Sequence, residues 1–96
     1  MIKTISKEEF NEKLNSKEYT LIDVRSQEEH GEEKIAESEV CDITQPDFSE
    51  KIGKLDKDKK YLIYCRSGAR SEHALQVMEQ MGFKDVSSLE GGMMGI

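Results

Sequence analysis

Four apolar residues, Tyr61-Leu62-Ile63-Tyr64, run into Cys65. A short polar loop, Arg66-Ser67-Gly68-Ala69-Arg70-Ser71, follows, and then a helical recurrence of Ala74, Leu75, Met78 and Met81. An apolar run of strand length with no polar alternation suits a strand buried on both faces, which points to a parallel sheet flanked by helices. The turn from such a strand into a helix lies at the strand's carboxyl end, where open α/β sheets bind their ligands. Cys65 is thereby the foremost candidate for chemistry.

The rest of the chain repeats this alternation. Ser6-Lys7-Glu8-Glu9 reads as a capping box opening a helix with Phe10 and Leu14 on one face. Thr20 to Val24 is a strand candidate, and a second capping box, Ser26-Gln27-Glu28-Glu29, starts the next helix. Val40 to Ile43 alternates like a short strand. Pro46 fits a helix start whose apolar stripe is Phe48, Ile52 and Leu55. Gly82 supplies a stop for the helix after the loop, and Asp85 to Leu89 is the last strand candidate, ending in Gly91-Gly92. The expectation is a single α/β domain over residues 1–96, with right-handed crossovers and helices on both faces of a mostly parallel sheet.

With 96 residues and equal hydrophobic and charged shares of 35% each, the core must be compact and the surface well solvated. The net charge of −6, with lysines interspersed among acids, argues against nucleic acid or an acidic membrane as partner. No stretch approaches membrane-spanning length, and Met1 to Ile5 lacks the apolar core of a signal peptide, so a reducing cytoplasm with two free thiols is expected. Neither Cys41 nor Cys65 has a second ligand at zinc spacing, and no metal is expected. Cys41 reads as a small core residue, and His30 and His73 as ordinary polar surface residues.

The loop can do more than turn the chain. A free cysteine has a pKa near ~8.5, so only a small fraction is nucleophilic at neutral pH. Successive backbone N–H groups from Cys65 to Arg70 can curl into a nest around the sulfur, and the helix adds the positive end of its dipole. Arg66 and Arg70 bring permanent charge, Gly68 permits the tight turn, and Ser67 and Ser71 offer hydroxyl donors, with helix capping a second use for Ser71. A purely structural cysteine explains neither the glycine nor the two arginines.

Cys65-Arg66-Ser67-Gly68-Ala69-Arg70-Ser71 resembles the active-site loop of the single-domain rhodanese family. Leu21-Ile22-Asp23-Val24-Arg25 resembles its early strand motif, and Gly82-Phe83, Val86 and Leu89-Glu90-Gly91-Gly92 resemble its closing pattern. The resemblance implies a three-layer α/β/α fold around about five strands. It implies a thiosulfate-type sulfurtransferase in which Cys65 carries a persulfide and the loop from Arg66 to Ser71 binds a small anionic sulfur donor. The acceptor would be cyanide, a thiol or a protein. No cofactor is implied, and Asp23 and Arg25 are assigned to support of the sheet edge and loop. A carrier or docking module loaded by a partner is the alternative. A phosphatase or arsenate-reductase-like enzyme is disfavoured, because a phosphatase loop of this kind places its arginine one residue later than Arg70.

Two departures from the family pattern stand out. Glu33-Lys34-Ile35-Ala36-Glu37-Ser38 replaces the usual Gly-His-Ile-Pro-Gly-Ala turn, which leaves the path of residues 33–40 open. Relatives also commonly continue beyond the Gly-Gly pair through a tryptophan and a further helix, so that helix is expected to be shortened or missing.

Overall fold

The computed structural model describes residues 1–95. Five strands, β1 (Ile2–Ile5), β2 (Tyr19–Asp23), β3 (Glu39–Val40), β4 (Lys60–Tyr64) and β5 (Asp85–Leu89), form one sheet in the order β1-β5-β4-β2-β3. Every pairing is parallel, with Leu21 opposite Leu62 and Asp23 opposite Tyr64 at the centre. The helices are α1 (Lys7–Ser16), α2 (Gln27–Glu32), α3 (Phe48–Gly53) and α4 (Ala69–Gln80), and a 3-10 turn spans Gly92–Gly95.

The apolar run of β4 behaves as a strand clad on both sides. Tyr61, Ile63 and Cys65 join one core cluster, with Phe48 and Ile52 of α3 and Ala74, Leu75 and Met78 of α4. Leu62 and Tyr64 point into the other, with Ile5, Leu21, Leu89 and Phe10 of α1. This two-residue alternation between helix layers is the three-layer α/β/α arrangement. Leu62 and Ile63 are fully buried, so truncating either to alanine costs about 2–5 kcal/mol.

The edge strand β1 has no counterpart among the strand candidates read from sequence. It is four residues long with only Ile5 buried, and it is held by pairing to β5 more than by its own apolar content. Pro46 lies two residues ahead of α3, whose cap position is Asp47. The Ser6 cap is half a box: its hydroxyl accepts from the Glu9 N–H, while the Glu9 carboxylate turns to Lys3 and Lys13. The Ser26 box is complete.

The strand order locates the site. The connection leaving β2 runs by α2 to β3 on one side, whereas the one leaving β4 runs by α4 to β5 on the other. The carboxyl ends of β2 and β4 are therefore the sheet's switch point, where the two connections diverge and leave a crevice. Arg25 follows one of these strands and Cys65 the other.

Candidate active site

Gly68, at φ +103°, forms the N-terminal boundary of α4 and folds the loop back on its own cysteine. Its N–H donates to Cys65 Sγ at 2.9 Å and the Ser71 N–H does so at 3.4 Å. The Ser71 hydroxyl stands 3.6 Å from the sulfur, donates to the Gly68 carbonyl (3.1 Å) and accepts from Ser88 Oγ (2.8 Å). Cys65, Ser71 and Ser88 are fully buried. Backbone donors thus converge on one sulfur shielded from water, an arrangement that stabilises negative charge there.

The 3-10 turn braces the loop from behind. Met93 N–H donates to the Cys65 carbonyl (3.0 Å) and Met94 N–H to that of Arg66 (2.9 Å). Gly92 makes this approach possible at φ +57°: a Cβ there would collide with the Cys65 carbonyl and sit 2.6 Å from the Arg66 oxygen. The Gly91-Gly92 pair, visible in the sequence only as a closing pattern, thus abuts the cysteine loop.

Asp23 and Arg25 form a buried ion pair. Arg25 Nε donates to Asp23 Oδ1 at 3.0 Å and to Oδ2 at 3.2 Å, its Nη2 donates to Oδ2 at 2.8 Å, and the Arg25 backbone N–H adds a fourth bond, to Oδ1, at 2.9 Å. Burial pushes the Asp23 carboxyl up, but the bonds from Arg25 and His30 outweigh it and hold the group below its ordinary range. His30 Nδ1 lies 2.9 Å from Asp23 Oδ2. An ionised carboxylate only accepts, so that nitrogen carries a proton. The expectation that His30 is a surface residue is wrong: it is buried, because a carboxylate inside the protein needed a further donor.

The same network fixes the departing segment. Arg25 donates from Nη2 to the Glu33 carbonyl, and its guanidinium stacks 5.4 Å from the Tyr64 ring centroid. The Tyr64 hydroxyl accepts from the Ile35 N–H (3.4 Å), while Ile35 and Ala36 pack on the α1-side core. Glu33-Lys34-Ile35-Ala36 thereby follows a defined path without the family's turn residues.

Arg70 is closed into a bidentate pair with Glu29, Nη1 to Oε1 at 2.7 Å and Nη2 to Oε2 at 2.9 Å. This guanidinium, with help from the Ser26 backbone N–H, holds the Glu29 carboxyl down at about 2. Glu29 was legible in sequence only as a capping residue. The distant partner could not be read, since it lies 41 residues along the chain. Arg66 forms no ion pair among the described residues. With Arg25, Glu29, Glu32 and Glu33 it lines a cavity of about 330 Å³ beside the loop. Ser67 and Ala69 complete the loop, whereas Cys41 is a buried free thiol in the core on the α3–α4 side, its ionisation opposed by burial. No cluster of three or more candidate metal ligands occurs among the described residues, and none of their helices is long and apolar enough to cross a membrane.

A parallel α/β sheet with a thiol in a backbone N–H nest at its switch point defines a class of proteins that present a cysteine as the reactive group. The chain belongs to the rhodanese-like family, whose domain model matches residues 6–96. The sulfurtransferase-named YtwF of Bacillus subtilis is 44% identical, covering 97% of this chain and 88% of that protein. The thiosulfate sulfurtransferase GlpE of Coxiella burnetii is 36% identical, over 96% and 84% respectively. Among solved structures, a rhodanese-related protein of Thermoplasma volcanium superposes with a TM-score of 0.81 at 34% identity, covering 95% of this chain and 86% of that one.

Proposed function

We propose that this single domain transfers sulfane sulfur through a persulfide on Cys65. The observation that carries this reading is the pair of N–H donors from Gly68 and Ser71 aimed at Cys65 Sγ. The donor is a small anion of thiosulfate type. The Cys65 thiolate attacks its outer sulfur, the S–S bond to the sulfonate breaks, and the electron pair departs on sulfite. Cys65 is left with one added sulfur and the negative charge, which the nest N–H groups stabilise. An acceptor thiolate, or cyanide, then attacks the terminal sulfur and restores the Cys65 thiolate. Free protein thiols or small thiols of a reducing cytoplasm supply that acceptor.

Residues Arg66 to Ser71 hold the donor and shape the nest, with Arg66 as the unpaired cation nearest the thiol in sequence. The Ser71 hydroxyl, within reach of the sulfur, can rotate to donate once the thiol ionises. Asp23 and Arg25 support the loop from the neighbouring strand and take no part in bond making. Because Cys65 is buried, loading requires a small displacement of the loop around it. The five-residue step from Cys65 to Arg70 suits an atom added to sulfur better than a tetrahedral phosphate, which disfavours the phosphatase reading.

Intact-protein mass spectrometry after exposure of reduced protein to thiosulfate tests the proposal. A gain of one sulfur, lost by cyanide treatment and absent from Cys65→Ser, is expected. No gain with thiosulfate, but a Cys65-dependent gain from a protein persulfide, would replace the enzyme with the carrier module. Cys65-dependent hydrolysis of an aryl phosphate would overturn both.

A further inference from the structure

The charges around the cavity beside the loop are not those of a surface that attracts a dianion. Its five lining residues are Arg25 and Arg66 against Glu29, Glu32 and Glu33. Arg25 is already spent on Asp23, both within the protein interior. Arg70, the other cation of the loop, is spent on Glu29 through two short bonds. The lining residues without an ion pair are one arginine, Arg66, and two glutamates, Glu32 and Glu33, so the unpaired charge around the cavity is net negative. The Glu29 carboxylate is held in place from both ends, because Oε1 also accepts from the Ser26 N–H and hydroxyl at 3.2 Å each. Turning Arg70 towards an incoming donor therefore means breaking a bidentate pair whose acid partner is fixed to its own helix start.

Resting on the sulfurtransferase reading above, we propose that Glu29 is a specificity-determining residue: by closing Arg70 into an ion pair it leaves Arg66 as the sole unpaired cation of the loop, weakens the binding of dianionic sulfur donors, and favours donors whose own positive charge offsets the persulfide. Thiosulfate then loads Cys65 at a high KM, whereas a persulfide carried beside an ammonium group meets Glu32 and Glu33 as attraction. Glu29 acts through Arg70 and needs no contact with the reacting sulfur. The carboxylate is ionised throughout the neutral range, since its pKa lies at about 2, so the latch is closed under all ordinary conditions.

Glu29→Gln isolates this effect. Glutamine can still accept from the Ser26 N–H and complete the helix cap, so the fold is kept while the negative charge is removed. Single-turnover loading of Cys65 is followed with thiosulfate and with cysteamine persulfide, whose ammonium balances its persulfide charge and whose outer sulfur passes to the Cys65 thiolate as its S–S bond breaks and cysteamine leaves with the electron pair. The expected result is a fall of about two- to fivefold in the thiosulfate concentration that half-saturates loading (its KM for loading), with the limiting loading rate little changed, the range of a part-exposed charge interaction, and no fall with cysteamine persulfide. Glu32→Gln, at an exposed position, should shift thiosulfate KM the same way by a smaller factor. A parallel reading that needs no sulfur transfer is protection of Cys65 from alkylation by sulfate, which should strengthen in Glu29→Gln. Unchanged or weaker sulfate protection in a folded Glu29→Gln protein overturns the role of Glu29. Stronger protection without loading of Cys65 by either donor would instead overturn the sulfurtransferase reading and leave the electrostatic role standing.

Discussion

Two arginine–carboxylate pairs frame the crevice between β2 and β4, and they differ in one physical respect. Arg25 and Asp23 have side-chain exposures of 3% and 0%, whereas Arg70 and Glu29 have 31% and 30%. The interior pair has almost no access to bulk water, so each charge depends on its partner, on His30 and on the Glu33 carbonyl. The rim pair trades one solvated interaction for another. The difference teaches that similar chemistry serves architecture in one place and tuning in the other. Arg25 ties two strand ends and an atypical loop into one geometry, and Arg70, in the role proposed above, sets the charge an approaching donor meets.

The contrast can be broken most forcefully at the interior pair. Arg25→Ala leaves the Asp23 carboxylate buried with His30 as its remaining side-chain partner, and should cost about 3–5 kcal/mol in denaturant unfolding. A loss near that of a surface ion pair would mean that water reaches Asp23. Arg70→Ala, by the same measurement, should cost less than about 1 kcal/mol, because both partners are solvated without each other. Equal losses from the two substitutions would mean that the two pairs do not differ in solvation.

Acid titration sharpens the same comparison with a smaller signal. The folded-state pKa of Glu29 is depressed, from an ordinary 4.5 to about 2, so its stabilising contribution is fully present above the ordinary value. That contribution is lost as pH falls from 4.5 towards 2. Asp23 is depressed too, and its share disappears below its ordinary value of 3.8. Glu29→Gln should therefore show a shallower fall in stability than the parent between these limits, while keeping the loss due to Asp23. An identical acid profile would show that the rim pair contributes nothing to folding.

How far the sequence discloses this molecule follows the range of each interaction. The β4 strand, the cysteine loop and α4 were legible because apolar run, turn residues and helical stripe are adjacent in the chain. The Ser26 box was legible for the same reason. The burial of His30 is not legible because its partner Asp23 lies on another element, and nothing in a lone histidine reveals a buried carboxylate beside it. Glu29 looked complete as a cap, which hid its second function as the partner of Arg70. Ser88 carried a faint signal, a polar residue inside a buried strand, whose meaning depended on Ser71 arriving from α4. The edge strand β1 escaped because pairing with β5, not its own pattern, holds it. The path after Glu33 could not be read without the Arg25 and Tyr64 contacts that replace the missing turn residues.

In the proposed reaction one thiol, held by the Gly68 and Ser71 N–H groups, receives one sulfur and releases sulfite. The most direct measurement is sulfite released in a single turnover with thiosulfate and no acceptor, set against the protein present. The expected result is a burst that ends at one sulfite for each Cys65 thiol and vanishes in Cys65→Ser, with Cys41→Ser unaffected. Sulfite release that survives Cys65→Ser, or that follows Cys41, would contradict it.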